Sequence, residues 1–573
     1  MKKTQWMVQT KKADFDGIGQ AFHISPVTAR IIRNRDVVGM EAIRRYLQGT
    51  VADLYDPLLL PDMELALDVL CRKIRAGERI RIVGDYDIDG ICSTYLLYRA
   101  LQRVGAAVDY EIPDRIKDGY GINEAIIRAA AQDGIDTILT CDNGIAAVQQ
   151  AELAAELGMT MVITDHHDIR QNEDGGDLLP RAAAVVDPKR KDSRYPYPEI
   201  CGGMVAYKLV KGLYQRFCIP ESEWQDLLPF AAIATVGDVM KLKDENRIVV
   251  KEGLKRIGQT ENIGLHKLIE KNRLDPDRLT AYHIGFVIGP CLNASGRLET
   301  AKVALSLLLS EDEAEADALA DKLKTLNDTR KSMTAKSVEA AAMLVEERYL
   351  EDWVLVVFLP DCHESLAGIV AGRLRERYHK PSIVLTRGEE AVKGSGRSIE
   401  GYHMFEALVE VQELLLKFGG HPMAAGLSLK ETDIDAFRRR LNENAKKKLT
   451  EADLVEKIWI DVALPLEYID EPLIQELHLL EPFGQGNEKP QFAQRHLKIR
   501  SARVAGKLRN VVLLSLATDS NAVMEARWFG EGDRFMEEMG DSRFMDVIYH
   551  PEINEYNGHR SIQLMIRQYR FTA

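Results

Sequence analysis

The sequence predicts a multidomain α/β protein: a parallel-sheet domain, a long connecting helix, a second α/β domain, and a C-terminal all-β module whose size suits a small barrel. Three observations carry this prediction. Short apolar runs alternate with helical periodicity from about residue 79, a stretch without Pro or Gly runs from Glu313 to Tyr349, and short alternating strands follow Glu456. At 573 residues the chain exceeds what one hydrophobic core supports, so two to four domains are expected.

Strands are predicted at Arg79–Val83, Val108–Ile112, Thr137–Cys141, Thr160–Thr164 and Ala183–Val186, separated by helices at Ile91–Val104, Glu124–Gln132 and Ala146–Leu157. Such alternation indicates βαβ units, whose ligand chemistry gathers at the carboxyl ends of the strands. Residues near 203–350 read as mostly helical. In the long segment Leu319, Leu323, Leu326 and Met333 fall at helical spacing, and its high charge favours a bridge between lobes over a core helix. A second α/β segment has strand Val354–Phe358, helix Leu366–Tyr378 and strand Ser382–Thr386, then Gly-rich FGGHPMAAG (Phe418–Gly426) and a basic helix around Arg438–Lys448. The last strands are predicted at Ile458–Val462, Val511–Ala517, Ala522–Trp528 and Ser561–Ile566, with a turn at Asn557-Gly558. The domains expected are 1–310, 311–350 (connecting helix), 351–452 and 453–573.

Apolar residues make up 46% and charged residues 28%, an ordinary globular composition. A net charge of −13 argues against a nucleic-acid partner only weakly, because carboxylates that bind cations contribute negative charge without repelling substrate once metal is bound. The cysteines (71, 92, 141, 201, 218, 291 and 362) form no CxxC pair and read as reduced thiols of a cytosolic enzyme. MKKTQWMVQTKK lacks the apolar run of a signal peptide, and no stretch approaches eighteen uninterrupted apolar residues, so no membrane span is expected.

Four motifs carry chemistry. GDYDIDG places Asp85, Asp87 and Asp89 after the first strand, with Gly90 opening a helix. CDNG puts Asp142 at another strand end, TDHH puts Asp165, His166 and His167 at a third, and VGDVM adds Asp238. A lone Asp after a strand is usually a helix cap, and a lone His pair is usually structural. Three strand ends that each bear acid or imidazole are a different matter, because such concentrated like charge needs a cation. Mixed Asp/His ligation suits manganese or zinc better than calcium, and the ligand count accommodates two ions acting on a phosphoryl group. A calcium loop starting at Asp85 would need Glu at its twelfth position, where the chain has Leu96.

GDYDIDG, CDNG, TDHH and VGDV, in this order, resemble the successive motifs of the DHH phosphoesterase superfamily. GPCLNASGRL (Gly289–Leu298), KGSGRSIEG (Lys393–Gly401) and FGGHPMAAG resemble its RecJ family of single-strand-specific exonucleases, over nearly the whole chain. The resemblance implies a DHH domain, a DHH-associated domain and an OB-type domain. It implies Asp87, Asp89, Asp142, His166 and Asp238 as ligands of two manganese or magnesium ions, with Asp85 beside them. His167 would donate to the scissile phosphate, and Asp165 would hold an imidazole in the right tautomer. Arg115, Ser395, Arg397, Gly420 and His421 would receive a terminal 5′-phosphate, with Asn293, Arg297 and His363 along the substrate cleft. The bland reading of Arg297 or Arg397 is an ion pair.

The chain departs from the family pattern at Cys291, where arginine is usual, at Met240-Lys241 in place of Val-Pro, and at DCHES around Cys362. None of these removes an expected ligand, and they mark a divergent member. The leading expectation is a 5′→3′ exonuclease on single-stranded DNA in repair or recombination, with a strand held by the terminal barrel. Trp459, Phe492, Trp528 and Tyr556 are the stacking candidates, although barrel aromatics are more often core. Single-strand-binding protein and a RecQ-type helicase are partners implied by resemblance alone. The alternatives are a short-oligonucleotide or cyclic-dinucleotide phosphodiesterase, or a pyrophosphatase, which need no further β module, and a non-catalytic replication scaffold, which degenerate motifs would mark.

Overall fold

The computed structural model describes residues 4–572 apart from 116, 120, 521 and 557. The chain forms two compact units, chiefly Met7–Gly289 with Leu308–Glu313 and Trp459–Ala573, and Pro290–Leu307 with Ala314–Ile458.

The first unit holds a five-stranded sheet of β1 (Arg79–Val83), β2 (Ala107–Glu111), β3 (Thr137–Cys141), β4 (Thr160–Thr164) and β5 (Ala184–Val186). The order is β2-β1-β3-β4-β5 with every pair parallel, so the chain reverses direction across the sheet between β1 and β3. β3 is buried throughout, as the runs of apolar and β-branched residues in a doubly covered sheet require. Against it lie α1 (Ile88–Arg103) and α2 (Gly202–Arg216), and α3 (Leu228–Gly237) packs on both helices. The predicted start of α1 at Ile91 moves to Ile88, because the Asp87 carboxylate caps it, accepting from the N–H groups of Asp89 (3.0 Å) and Gly90 (3.2 Å). α3 is apolar on nearly all sides and correspondingly buried.

The same unit ends in a closed barrel of β11 (Phe492–Ala505), β12 (Val511–Ala517), β13 (Val523–Phe529), β14 (Phe544–Tyr556) and β15 (His559–Thr572), ordered β11-β12-β13-β15-β14. The sequence reading missed β11 and β14. Both are long, polar and interrupted by bulges, and β14 carries Pro551, so neither shows clean alternation. The predicted strand Ile458–Val462 is Glu456–Ile460 and lies outside the barrel, paired with Thr4–Val8. Asn557 of the predicted turn lies outside the described residues.

The barrel is no appendage. Its Phe492, Leu514 and Tyr549 share one core with Ile31, Ile32 and Tyr46 of the N-terminal helices. Arg35 grips Asp461 with two nitrogens, at 2.5 and 3.1 Å. Arg247, wholly buried, donates to the carbonyls of Tyr46 (2.8 Å), Leu479 (3.0 Å) and Leu480 (2.8 Å), and stacks over the Tyr46 ring at 3.9 Å. Arg247→Ala strands these carbonyls and is expected to destabilise the unit by about 3–5 kcal/mol, measured by urea denaturation. A loss below 1 kcal/mol would mean that water replaces the guanidinium.

The second unit contains α4 (Gly289–Leu298) after its first residue, the long α5 (Glu313–Leu344), and α6 (Ala367–Tyr378). α5 continues into a π-turn, Val345–Tyr349. Its buried stripe includes Ala316, Ala320, Leu323 and Asn327, so of the predicted apolar positions only Leu323 is fully inside. A sheet of β6 (Leu355–Phe358), β7 (Ser382–Arg387), β8 (Val392–Arg397), β9 (Leu415–His421) and β10 (Ala424–Leu429) runs in the order β9-β10-β8-β7-β6. KGSGR, which lies outside every predicted strand, is in strand β8. Its glycines are there for packing: a Cβ on Gly394 would come within 2.5 Å of Leu385.

Candidate metal centre

The predicted acids and histidines meet at the carboxyl edge of the parallel sheet, around the switch point between β1 and β3. Asp85 and Asp87 follow β1, Asp89 opens α1, Asp142 follows β3, His166 and His167 follow β4, and Asp238 ends α3. Asn143 braces the switch point by donating to the carbonyls of Val83 (3.0 Å) and Cys141 (2.9 Å). Asp142 itself has φ 60, a left-handed conformation that aspartate tolerates better than most residues. Asp89 accepts from Gly202 and Gly203 N–H at 2.7 Å each, fixing the start of α2. A Cβ on Gly202 would sit 2.7 Å from that of Asp142, so glycine alone permits this approach.

His166 Nε2 lies 3.1 Å from Asp142 Oδ1, 3.5 Å from Asp89 Oδ2 and 3.7 Å from Asp238 Oδ2. Potential ligand atoms fall into three groups, each within 4.8 Å: Asp142, His166 and His167; Asp89, His166 and Asp238; Asp85, Asp87 and Asp142. Asp142 and His166 each belong to two groups, which describes adjoining cation positions. Asp85, expected beside the ligands, is grouped among them.

Burial and mutual repulsion push the carboxyls of Asp85, Asp87 and Asp142 above the ordinary range, and burial with the Asp89 and Asp87 charges pushes Asp238 up to about 8. Burial also holds His166 down to about 4, so its imidazole is neutral and has a lone pair to give. Asp85 Oδ1 and His166 Nδ1 are buried without a hydrogen-bond partner among the described residues. Crowded acids, a neutral imidazole and orphaned donor atoms fit divalent cations.

Asp165 behaves differently. Burial alone would raise its pKa, but the His167 ring, 2.7 Å from its Oδ1, and the Ile145 N–H at 2.9 Å help hold it below the usual range. Burial opposes protonation of His167, and Asp165 overrides it, raising that imidazole to about 9. The imidazole that Asp165 orients is therefore that of His167. Sequence reasoning missed Asp187, fully buried directly after β5, with Oδ2 unpartnered among the described residues and its pKa pushed up to about 8 by burial and Asp165. The strand-end rule applied to Ala183–Val186 would have found it.

Arg115 lies 4.9 Å above the Tyr86 ring. In the second unit Arg297 Nη1 donates to Ser365 O (2.8 Å), and His363 Nδ1 lies 2.8 Å from Ser365 Oγ. Arg397 and His421 are both in register with Ala424 and so share a sheet face. A Cβ on Gly368 of α6 would lie 2.9 Å from the Arg397 guanidinium and 3.5 Å from Ser395 Cβ. The helix N-terminus therefore closes on both residues. Gly420 has φ 152, and a Cβ there would meet Ala424 O at 2.4 Å. Asn293 lies on α4, and buried Cys291 accepts from Asn327 Nδ2 at 3.3 Å. Two expected stacking residues are corrected: Phe492 is core, and Trp528 packs on Phe535 and Tyr569. Trp459 is exposed but outside the barrel, and the Tyr556 side chain lies outside the described residues.

A carboxylate–histidine cluster at the switch point of a parallel sheet, joined to a second α/β domain and an OB-type barrel, defines a metallophosphoesterase of the DHH class. The DHH family N-terminal domain matches residues 79–235, the DHHA1 domain residues 351–447, and the RecJ OB domain residues 460–568. The chain belongs to the RecJ family of single-stranded-DNA-specific exonucleases. It is 37% identical to the Bacillus subtilis RecJ exonuclease over 99% of this chain and 70% of that protein. With the Escherichia coli enzyme it shares 32% identity over 95% of each. RecJ of Thermus thermophilus in complex with Mn²⁺ superposes with a TM-score of 0.85 at 28% identity, covering 100% of this chain and 80% of that one.

Proposed function

We propose that this chain is a divalent-metal-dependent exonuclease that hydrolyses single-stranded DNA from its 5′ end to 5′-mononucleotides, in DNA repair and recombination in the cytoplasm. The observation that carries the reading is the sharing of Asp142 and His166 between ligand groups, which supports paired cations at one phosphate. Asp85, Asp87, Asp89, Asp142, His166 and Asp238 would hold Mn²⁺ or Mg²⁺. When bound, the ions supply Lewis acidity at phosphorus and lower the pKa of the attacking water.

The chain's own groups do the rest. His167, held through Nδ1 by Asp165, would donate from Nε2–H to the phosphate oxygen as charge develops. Arg115, beside the carboxylates, takes a substrate phosphate. Ser395, Arg397, Gly420 and His421 receive the strand's terminal phosphate, where guanidinium and helix N-terminus favour an anion. Asn293, Arg297 and His363 position the strand, and the barrel retains it. Single-strand-binding protein and a RecQ-type helicase would supply and present such strands. The presence of a terminal barrel matching the RecJ OB domain favours a long substrate over a dinucleotide.

With Mn²⁺, strands blocked by phosphorothioate at the 3′ end should be degraded and strands blocked at the 5′ end should persist; the reverse overturns the polarity. Arg397→Ala should slow 5′-phosphorylated strands by roughly 10- to 100-fold and leave 5′-hydroxyl strands nearly unchanged. Equal losses on both would remove Arg397 from the terminal-phosphate role.

A further inference from the structure

Between α3 and α4 the chain forms a helical turn, Ala281–His283, that passes into a π-helical turn, Ile284–Ile288. Two large aromatic side chains stand out from it into solvent. Tyr282 and Phe286 are each 62% exposed, and their rings stack at 4.8 Å with 25° between planes. The turn is seated on the elements that present the metal ligands. A Cβ on Gly285 would lie 3.5 Å from Val236 of α3, the helix that ends in Asp238. A Cβ on Gly289 would lie 3.1 Å from Ile88, between Asp87 and Asp89.

We propose that Tyr282 and Phe286 form a base-stacking ledge that selects an unpaired strand beside the metal centre; this rests on the exonuclease reading and deepens it. An exposed stack of two aromatic rings is the partner that the faces of an unpaired nucleobase seek, and stacking is indifferent to base identity. In a duplex those faces are already covered by neighbouring base pairs. The ledge therefore favours single strands without reading sequence. A second protein chain is a poorer occupant. The stacked pair alone offers two side chains of apolar surface, far less than a stable interface needs. The π-turn, a geometry often found at functional sites, fixes both rings on one rigid support.

The test compares full-length wild type with Tyr282→Ala/Phe286→Ala under Mn²⁺. The substrates are 5′-phosphorylated oligothymidylate, the same strand with abasic sites at its 5′ end, and a base-free ester, an oligophosphodiester made wholly of tetrahydrofuran abasic units, which has no aromatic ring. The ledge predicts that the variant raises KM on oligothymidylate by roughly tenfold or more, with kcat and the base-free hydrolysis within twofold of wild type. Abasic sites should raise KM for the wild type and add little in the variant. Tyr282→Phe should retain wild-type KM. An unchanged KM in the double variant overturns the ledge, and so does parallel loss on the base-free ester, which would mark a structural role. A wild-type dimer that the variant dissolves, seen by sedimentation, would assign the pair to self-association instead. If the wild type itself cleaves the base-free ester but no strand, the exonuclease reading falls and the ledge with it; a wild type active on strands and matched by the variant sinks the ledge alone.

Discussion

Asp142→Ala is expected to reduce strand hydrolysis by roughly 10³-fold or more, because it removes the carboxylate common to two ligand groups. Several kilocalories of transition-state stabilisation depend on correctly placed cations, and about 1.4 kcal/mol corresponds to each tenfold in rate. The isosteric Asp142→Asn should be nearly as inactive, with a second effect of opposite sign on stability. Burial and the neighbouring acids make the Asp142 carboxylate unwelcome in the metal-free protein. Neutralising it should therefore raise the metal-free unfolding midpoint. End-labelled degradation and urea denaturation of one preparation check both. Retained activity, or a fall in metal-free stability, would place Asp142 outside the cation site.

Removal of divalent metal is expected to abolish activity and to expose a pH dependence that the cations otherwise mask. Asp238 is pushed up to about 8, whereas an unfolded aspartate titrates near 3.9. Between these values the unfolded chain has released a proton that the folded chain keeps. Metal-free stability should therefore fall as pH rises from about 4 to 8. Asp238 remains partly solvated, so its own share is modest, and Asp85, Asp87 and Asp142 contribute in the same direction. Mn²⁺ at a thousandfold above its Kd should restore about 4 kcal/mol, and its affinity should rise with pH as ligands shed protons. Urea denaturation with and without chelator measures this. A metal-free stability that climbs across that range would contradict the crowded-acid account.

How much of this was legible in the sequence differs by element. The sheet and its catalytic edge were, because alternating apolar runs fix βαβ order and the strand-end rule then points to Asp85, Asp142 and Asp165 without coordinates. Asp187 obeys the same rule but escaped notice as a lone acid outside a cluster. β8 was hidden because its glycines mimic a loop, while close packing against Leu385 demands them. Phe492 and Trp528 illustrate the opposite failure, since composition cannot distinguish a barrel's inner face from its outer one.

The sequence by itself determined the chemistry: the acids and imidazoles, their order, and the strands that carry them are local properties of the chain. Tertiary structure decided what depends on contacts between distant segments. It joined the barrel to the N-terminal helices through Arg35, Arg247 and a shared core, so cutting the chain at Glu456 would strip those helices of their partner. It also grouped Asp85 with Asp87 and Asp142, and assigned His167 to Asp165. The reason is physical. Periodicity reports which face of an element is apolar, whereas ligand convergence and core sharing are set by which elements meet.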